Sequence, residues 1–122
     1  TDDKDGNTFI ELENIYFDFA KWDIKPQAAQ TLDVLVALLA KYPRMEIQLG
    51  AHTDSRSTIE FNLDLSVKRA KSTLEYLVQN GISRARLTSK GFGESQPIVP
   101  CGANCSEVEF SINRRCEFLI LK

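Results

Sequence analysis

A chain of 122 residues, 43% hydrophobic and 26% charged, is long enough for one domain with its own core, and its composition is neither that of a disordered segment nor of a membrane-spanning one. Fifteen basic residues against seventeen acidic ones leave a formal charge of −2, without the basic excess that marks a nucleic-acid binder. The longest mostly apolar stretch, residues 31–40, is interrupted by Asp33 and is too short to cross a bilayer.

Residues 1–13 form a polar leader or linker, followed by an aromatic, β-prone run over residues 14–19 that predicts a first strand. Pro26 suits the first turn of a helix, where its missing N–H costs nothing. Ala29, Leu32, Leu35, Val36 and Leu39 then follow at helical spacing until Pro43 stops the run. Met45, Ile47 and Leu49 alternate with Glu46 and Gln48, which predicts a half-buried strand ending at Gly50. In the second helix Leu63, Val67, Ala70, Leu74 and Leu77 recur as the expected buried series. Ser57 and Glu60 offer a capping box at its start, and Asn80 with Gly81 a stop at its end. Residues 86–92 read as a third strand, residues 97–105 as an irregular loop, and residues 106–113 as holding a short helical turn. Cys116, Phe118 and Ile120 alternate with Glu117, Leu119 and Leu121; both sets are largely apolar, so the closing strand is expected to be covered on both faces. Two long amphipathic helices interleaved with about four strands predict an α/β sandwich of the α+β kind.

The chain has three cysteines. Cys101 and Cys105 lie four apart in a Pro/Gly/Asn-rich segment, compatible either with separate thiols or with a loop disulfide. A pairing would imply an oxidising compartment. Too few ligands surround them for a metal site, and His52, the single histidine, is distant in sequence. No catalytic constellation is visible: His52-Thr53-Asp54 has no partnering nucleophile, and Gly91-Phe92-Gly93 lacks the third glycine and following helix of a dinucleotide site. No enzyme, cofactor or metal is expected.

A different grouping is more informative. Asp54 follows the end of a strand, and Asn62, Leu65 and Arg69 fall on one stripe of the next helix, offset from its expected buried series. An Asp, an Asn and an Arg could converge there at the edge of the core. Spacing alone favours the plainer reading, a surface ion pair and a solvated amide.

At these residues the sequence closely resembles the OmpA-like C-terminal domain family, which includes peptidoglycan-associated lipoproteins and flagellar stator proteins. The resemblance is carried by Phe17-Asp18-Phe19 with Lys25-Pro26, by residues 50–54 ending in His52-Thr53-Asp54, and by Asn62 through Arg69-Ala70. It continues through Tyr76-Leu77 and Gly81-Ile82, Gly91-Phe92-Gly93-Glu94 with Pro97, and Asn113-Arg114-Arg115. These motifs run in order over roughly residues 14–121, so the domain is assigned to residues 14–122.

The resemblance implies a βαβαββ-type sandwich, with two long helices packed on a mixed sheet of about four strands. It also implies non-catalytic binding of peptidoglycan through the diaminopimelate of the stem peptide. Position by position, the family's acidic anchor falls on Asp54 and its binding arginine on Arg69. Other pocket positions fall on Asp18, Phe19, Thr53, Asn62, Leu65, Asn113 and Arg114. A Cys-X3-Cys loop before Asn113-Arg114-Arg115 resembles a subset of the family and implies a Cys101–Cys105 disulfide. Chemically, Asp54 could accept hydrogen bonds from the ligand's distal ammonium while the Arg69 guanidinium forks onto the carboxylate of the same carbon. The implied location is the periplasm, with outer-membrane association through a region outside this chain. An interaction domain that kept the fold and lost the ligand is the alternative. Two departures stand out: Ser57 where relatives commonly have glycine, and Phe110 where the cysteine-bearing subset often has histidine.

Overall fold

The computed structural model describes residues 14–121; the predicted leader over residues 1–13 lies outside them. In chain order the elements are β1 (Ile15–Tyr16), α1 (Pro26–Lys41), β2 (Ile47–Ala51), α2 (Ile59–Gln79), β3 (Leu87–Gly91), α3 (Glu107–Asn113) and β4 (Arg115–Ile120). The strands form one mixed sheet in the order β1-β4-β2-β3. β2 and β3 are parallel, in register from Ile47 beside Leu87 to Ala51 beside Gly91. A parallel pair needs a crossover, and α2 supplies it. β4 lies between β1 and β2, antiparallel to both. The fold is the predicted α/β sandwich, with the short helical turn of residues 106–113 realised as α3.

Pro26 does open α1, whose Ala28, Leu32, Leu35 and Leu39 are buried. They meet Ile15, Phe17, Ile47, Leu49, Ala51, Leu77 and Cys116 in one apolar cluster. Burial of each large aliphatic side chain contributes about 1.5–3 kcal/mol relative to exposure. Ser106 and Glu109 form a reciprocal capping box that starts α3 only two residues beyond the disulfide loop.

Four expectations are revised. β1 is shorter than residues 14–19 because the chain turns after Asp18: Lys21 N–H donates to the Asp18 carbonyl and Ala20 takes φ +57°. That turn carries Phe19 to the surface. The cap of α2 is Thr58, whose hydroxyl accepts from Phe61 N–H, rather than Ser57. Ser57 instead sits at φ +77°, the left-handed region that favours glycine.

The buried face of α2 is also rotated. Leu63 and Val67 are each 49% exposed, whereas Asn62, Leu65, Ser66, Arg69, Ala70, Thr73 and Leu77 are buried. The cause is close helix–strand packing at the glycines. A side-chain carbon on Gly91 would lie 2.6 Å from the backbone nitrogen of Val67, and one on Gly93 would lie 3.4 Å from the Cα of Leu63. The helix backbone rests there, so residues 63 and 67 flank the strand and the polar stripe turns inward. Finally, β4 is covered along one face, whereas the other is covered only at its start, where Arg115 is buried. Cys116, Phe118 and Ile120 meet the core, while Leu119, opposite Gln48, is 58% exposed.

Candidate functional site

The turn after β2, the start of α2, the 17–22 segment and the α3–β4 junction converge on Asp54. Its carboxylate is nearly covered, with a side-chain exposure of 4%. Oδ1 accepts from Arg56 N–H at 3.0 Å, and Oδ2 accepts from the Arg56 guanidinium at 2.7 Å and from Arg114 Nη1 at 3.4 Å. Burial pushes this carboxyl up, but the hydrogen bonds and charge of Arg56, joined by Arg114, outweigh it and hold the group below its ordinary value. Asp54 is therefore a carboxylate at neutral pH, poor in water and rich in cationic partners.

Arg69 has an exposure of 0%. Its guanidinium donates to three backbone carbonyls: Nε to Lys21 at 2.8 Å, Nη1 to His52 at 3.0 Å and Nη2 to Asp18 at 2.9 Å. Burial and the charge of Arg114 push its pKa down to about 10, with Asp54 opposing, so it stays protonated at neutral pH. The open fork expected from the sequence is thus engaged in tying the Asp18–Lys21 turn to the His52-Thr53-Asp54 turn. A buried guanidinium needs such acceptors, and the backbone provides them.

The remaining predicted residues fall into two groups. Phe19 is an exposed ring packed on the Arg56 guanidinium, and Asp18 holds Lys25 at 3.1 Å. Thr53, Asn62, Leu65, Asn113 and Arg114 are buried. Thr53 donates to the Asp54 carbonyl; Asn62 donates to the Arg56 carbonyl at 2.7 Å and to Glu94 at 2.9 Å. Asn113 commits its side-chain amide to the backbone of Ile98 and Val99, where it pins the loop before the disulfide. Arg114 reaches Asp54, Glu107 and the Phe17 carbonyl together. Cys101 and Cys105 are disulfide-bonded, and Ser55 donates to the Gly102 carbonyl at 2.7 Å, tying the Asp54 turn to that loop. Cys116 is a buried free thiol whose pKa is pushed up to about 12 by burial.

Two residues that the sequence does not single out, Arg56 and Glu107, belong to this cluster, as does Phe110, which the sequence marks only as a departure from the family's pattern. Arg56 lies between the rings of Phe19 and Phe110, its guanidinium carbon 4.2 Å from each centroid. It also pairs with Glu107 at 3.2 Å. An arginine two residues after a loop aspartate, positioned for the local turn bond it makes, was the available signal. Nothing local points to Glu107. Three guanidiniums (Arg56, Arg69, Arg114) here face two carboxylates (Asp54, Glu107), which leaves positive charge in excess.

Beside this cluster, His52 stacks on Phe92, with centroids 5.0 Å apart and planes within 8°. Its Nε2 lies 3.2 Å from Glu117 Oε1, yet neither ring nitrogen has an aligned hydrogen bond among the described residues. Burial, helped by Arg115 and opposed by Glu117, lowers its pKa to about 4, so it is neutral. Among the described residues no group of His, Cys, Asp and Glu is arranged to hold a metal ion.

Comparison with known proteins gives a consistent picture. The family model described as "OmpA family" matches residues 16–109. A peptidoglycan-associated lipoprotein of Rhizobium meliloti (strain 1021) is 37% identical over 89 residues, covering 73% of this chain and 51% of that protein. Outer membrane porin F of Pseudomonas fluorescens is 34% identical over 108 residues, covering 88% of this chain and 32% of that protein. The chain therefore spans about a third to a half of the length of these relatives. The crystal structure of the peptidoglycan-associated lipoprotein from Burkholderia pseudomallei superposes with a TM-score of 0.81 at 27% identity, covering 88% of each chain. The C-terminal domain of Helicobacter pylori MotB shares the fold, with a TM-score of 0.82 at 22% identity, covering 92% of this chain and 86% of that one.

Proposed function

The chain belongs to the OmpA family, and on that premise we propose that it binds peptidoglycan non-covalently, through the diaminopimelate of the stem peptide. Bound in this way, it anchors an attached segment of the envelope to the cell wall. The observation that carries the reading is the Asp54 carboxylate: desolvated, ionised, and set among three guanidiniums, with the exposed ring of Phe19 packed on that of Arg56. Such a site suits a zwitterion. An ammonium replaces a cationic partner on Asp54, and the excess positive charge around it receives the neighbouring carboxylate.

Arg69 serves this site by holding the two turns that flank Asp54, and Asn62 by fixing the Arg56 carbonyl. Thr53 and Arg114 hydrogen-bond to Asp54, Asn113 pins the neighbouring loop, and Leu65, Asp18 and Phe19 complete the set of residues assigned to the site. The activity is binding alone, without a covalent step. The relatives' names place them in the outer membrane or in association with peptidoglycan. By extension we place this domain in the periplasm, attached to the outer membrane through a region outside this chain.

Retention on purified sacculi tests the reading. The Asp54→Asn variant, melting within a few degrees of wild type, is expected to lose retention by roughly tenfold or more. Equal retention of both proteins would overturn diaminopimelate binding at Asp54 and favour an interaction domain that has lost its ligand.

A further inference from the structure

Arg69 has three of its donors on backbone carbonyls and no exposed surface, which raises the question of which guanidinium meets an incoming carboxylate. Arg114 is nearly as covered, with a side-chain exposure of 9%, and is anchored through Nε to the Phe17 carbonyl. Arg56 differs from both. Its side chain is 30% exposed, and Nη2 and Nη1 are each held by a carboxylate, Asp54 and Glu107. Its Nε is covered and has no hydrogen-bond partner among the described residues.

Nε and Nη2 form one edge of a guanidinium, the edge that grips a carboxylate with two parallel hydrogen bonds. On Arg56 that edge is half used: Nη2 is on Asp54 and Nε is idle. The sandwich of Phe19 and Phe110 restrains the plane of the group but not its rotation within that plane. Glu107 meanwhile keeps hold of Nη1 from the far side.

From this geometry we infer that Arg56 is the specificity-determining residue of the site: it occupies Asp54 in the free protein and passes its Nε–Nη2 edge to the distal carboxylate of the ligand when the ligand's ammonium takes Asp54. The inference rests on the diaminopimelate reading above and deepens it. An amine without a carboxylate on the same carbon, such as the side chain of a lysine stem, also displaces Arg56. It then leaves the guanidinium with a bare edge between two rings, where water serves it poorly. The site thereby discriminates against lysine stems through a cation of its own rather than through shape.

Titration calorimetry of wild type, Arg56→Gln, Arg56→Lys and Asp54→Asn with two stem tripeptides, one ending in diaminopimelate and one in lysine, tests this. Wild type is expected to prefer diaminopimelate by roughly thirtyfold or more. Arg56→Gln should bring the two peptides to within a few fold of each other, by weakening the first and not the second. Arg56→Lys, which keeps the charge without the two-donor edge, should restore only part of the preference. Thermal melts of each variant within a few degrees of wild type exclude misfolding, which the partly exposed position of Arg56 makes a fair demand. A full preference retained by Arg56→Gln overturns the assignment of Arg56 while leaving the diaminopimelate reading intact. Wild type that ignores both peptides, or Asp54→Asn that binds as well as wild type, overturns that reading and this inference with it.

Discussion

The two halves of α2 bury different chemistry against the same sheet. Toward its C-terminus, Ala70 and Leu77 join Leu35, Leu39, Ile47 and Leu49 in an apolar cluster that owes its stability to area removed from water. Toward its N-terminus the inward residues are Asn62, Leu65, Ser66 and Arg69, and the three polar ones are held by hydrogen bonds to backbone groups outside the helix. Apolar packing is non-directional and tolerates substitution by degrees, whereas a buried guanidinium with three acceptors is satisfied as a set or not at all. The polar half therefore keeps Asp54 desolvated beside the start of the helix through directional hydrogen bonds rather than through added apolar surface.

The largest expected effect that would break this comparison is at Arg69. Arg69→Ala strands the carbonyls of Asp18, Lys21 and His52 and should cost about 3–5 kcal/mol in urea denaturation, with both ligand binding and the local structure around Phe19 lost together. Arg69→Lys should recover little of it, since a lysine cannot reach three acceptors in a fork. Leu39→Ala, in the apolar half, should cost a comparable 2–5 kcal/mol by leaving a cavity, yet the molecules that remain folded should bind sacculi as wild type does. A cost at Arg69 below about 1 kcal/mol would mean that the polar half is not held in the way described.

A second, smaller effect sharpens the boundary between the halves. His52 has a folded pKa of about 4, below its unfolded value of 6.5, so the unfolded chain takes up the proton first as pH falls. The stability that neutral His52 contributes is complete above pH 6.5 and is lost as pH falls through 6.5 toward 4, about 3 kcal/mol in all. Asp54, also depressed, adds a loss in the same direction at lower pH, below its ordinary 3.8. His52→Phe keeps the ring stacked on Phe92 and removes the proton, so its melting temperature should be flatter than that of wild type between pH 4 and 6.5. A wild-type slope that persists in His52→Phe would assign the loss to other groups.

The smallest expected change is at Ser57. With φ at +77°, Ser57→Gly should stabilise the fold by about 1 kcal/mol by chemical denaturation. Because residue 57 adjoins Arg56, unchanged stability would show that the turn relaxes around serine without strain.

Much of the architecture was legible along the chain. The Pro26 start, the stop at Pro43, the alternation around Ile47 and the residue type at each family motif are local signals, and each reports one segment's preference for a period or a cap. The candidate site is legible in part: the sequence groups Asp54, Asn62 and Arg69, but its hydrophobic period puts Leu63 and Val67 on the inward face of α2. A hydrophobic period cannot foresee that Gly91 and Gly93 let the helix backbone settle onto the strand and turn a polar stripe inside.

By itself, then, the sequence determined the order and kind of the elements, the family, and which charged residues stand near the turn after the second strand. Only the tertiary structure decided what those charges touch. Arg69 finds its acceptors 17, 48 and 51 residues away along the chain, and Arg56 lies between two rings contributed by separate loops and helices. Such partners are set by how segments close on one another in space. A buried cation takes whatever acceptors that closure brings within hydrogen-bonding distance, and no pattern along the chain records which they are.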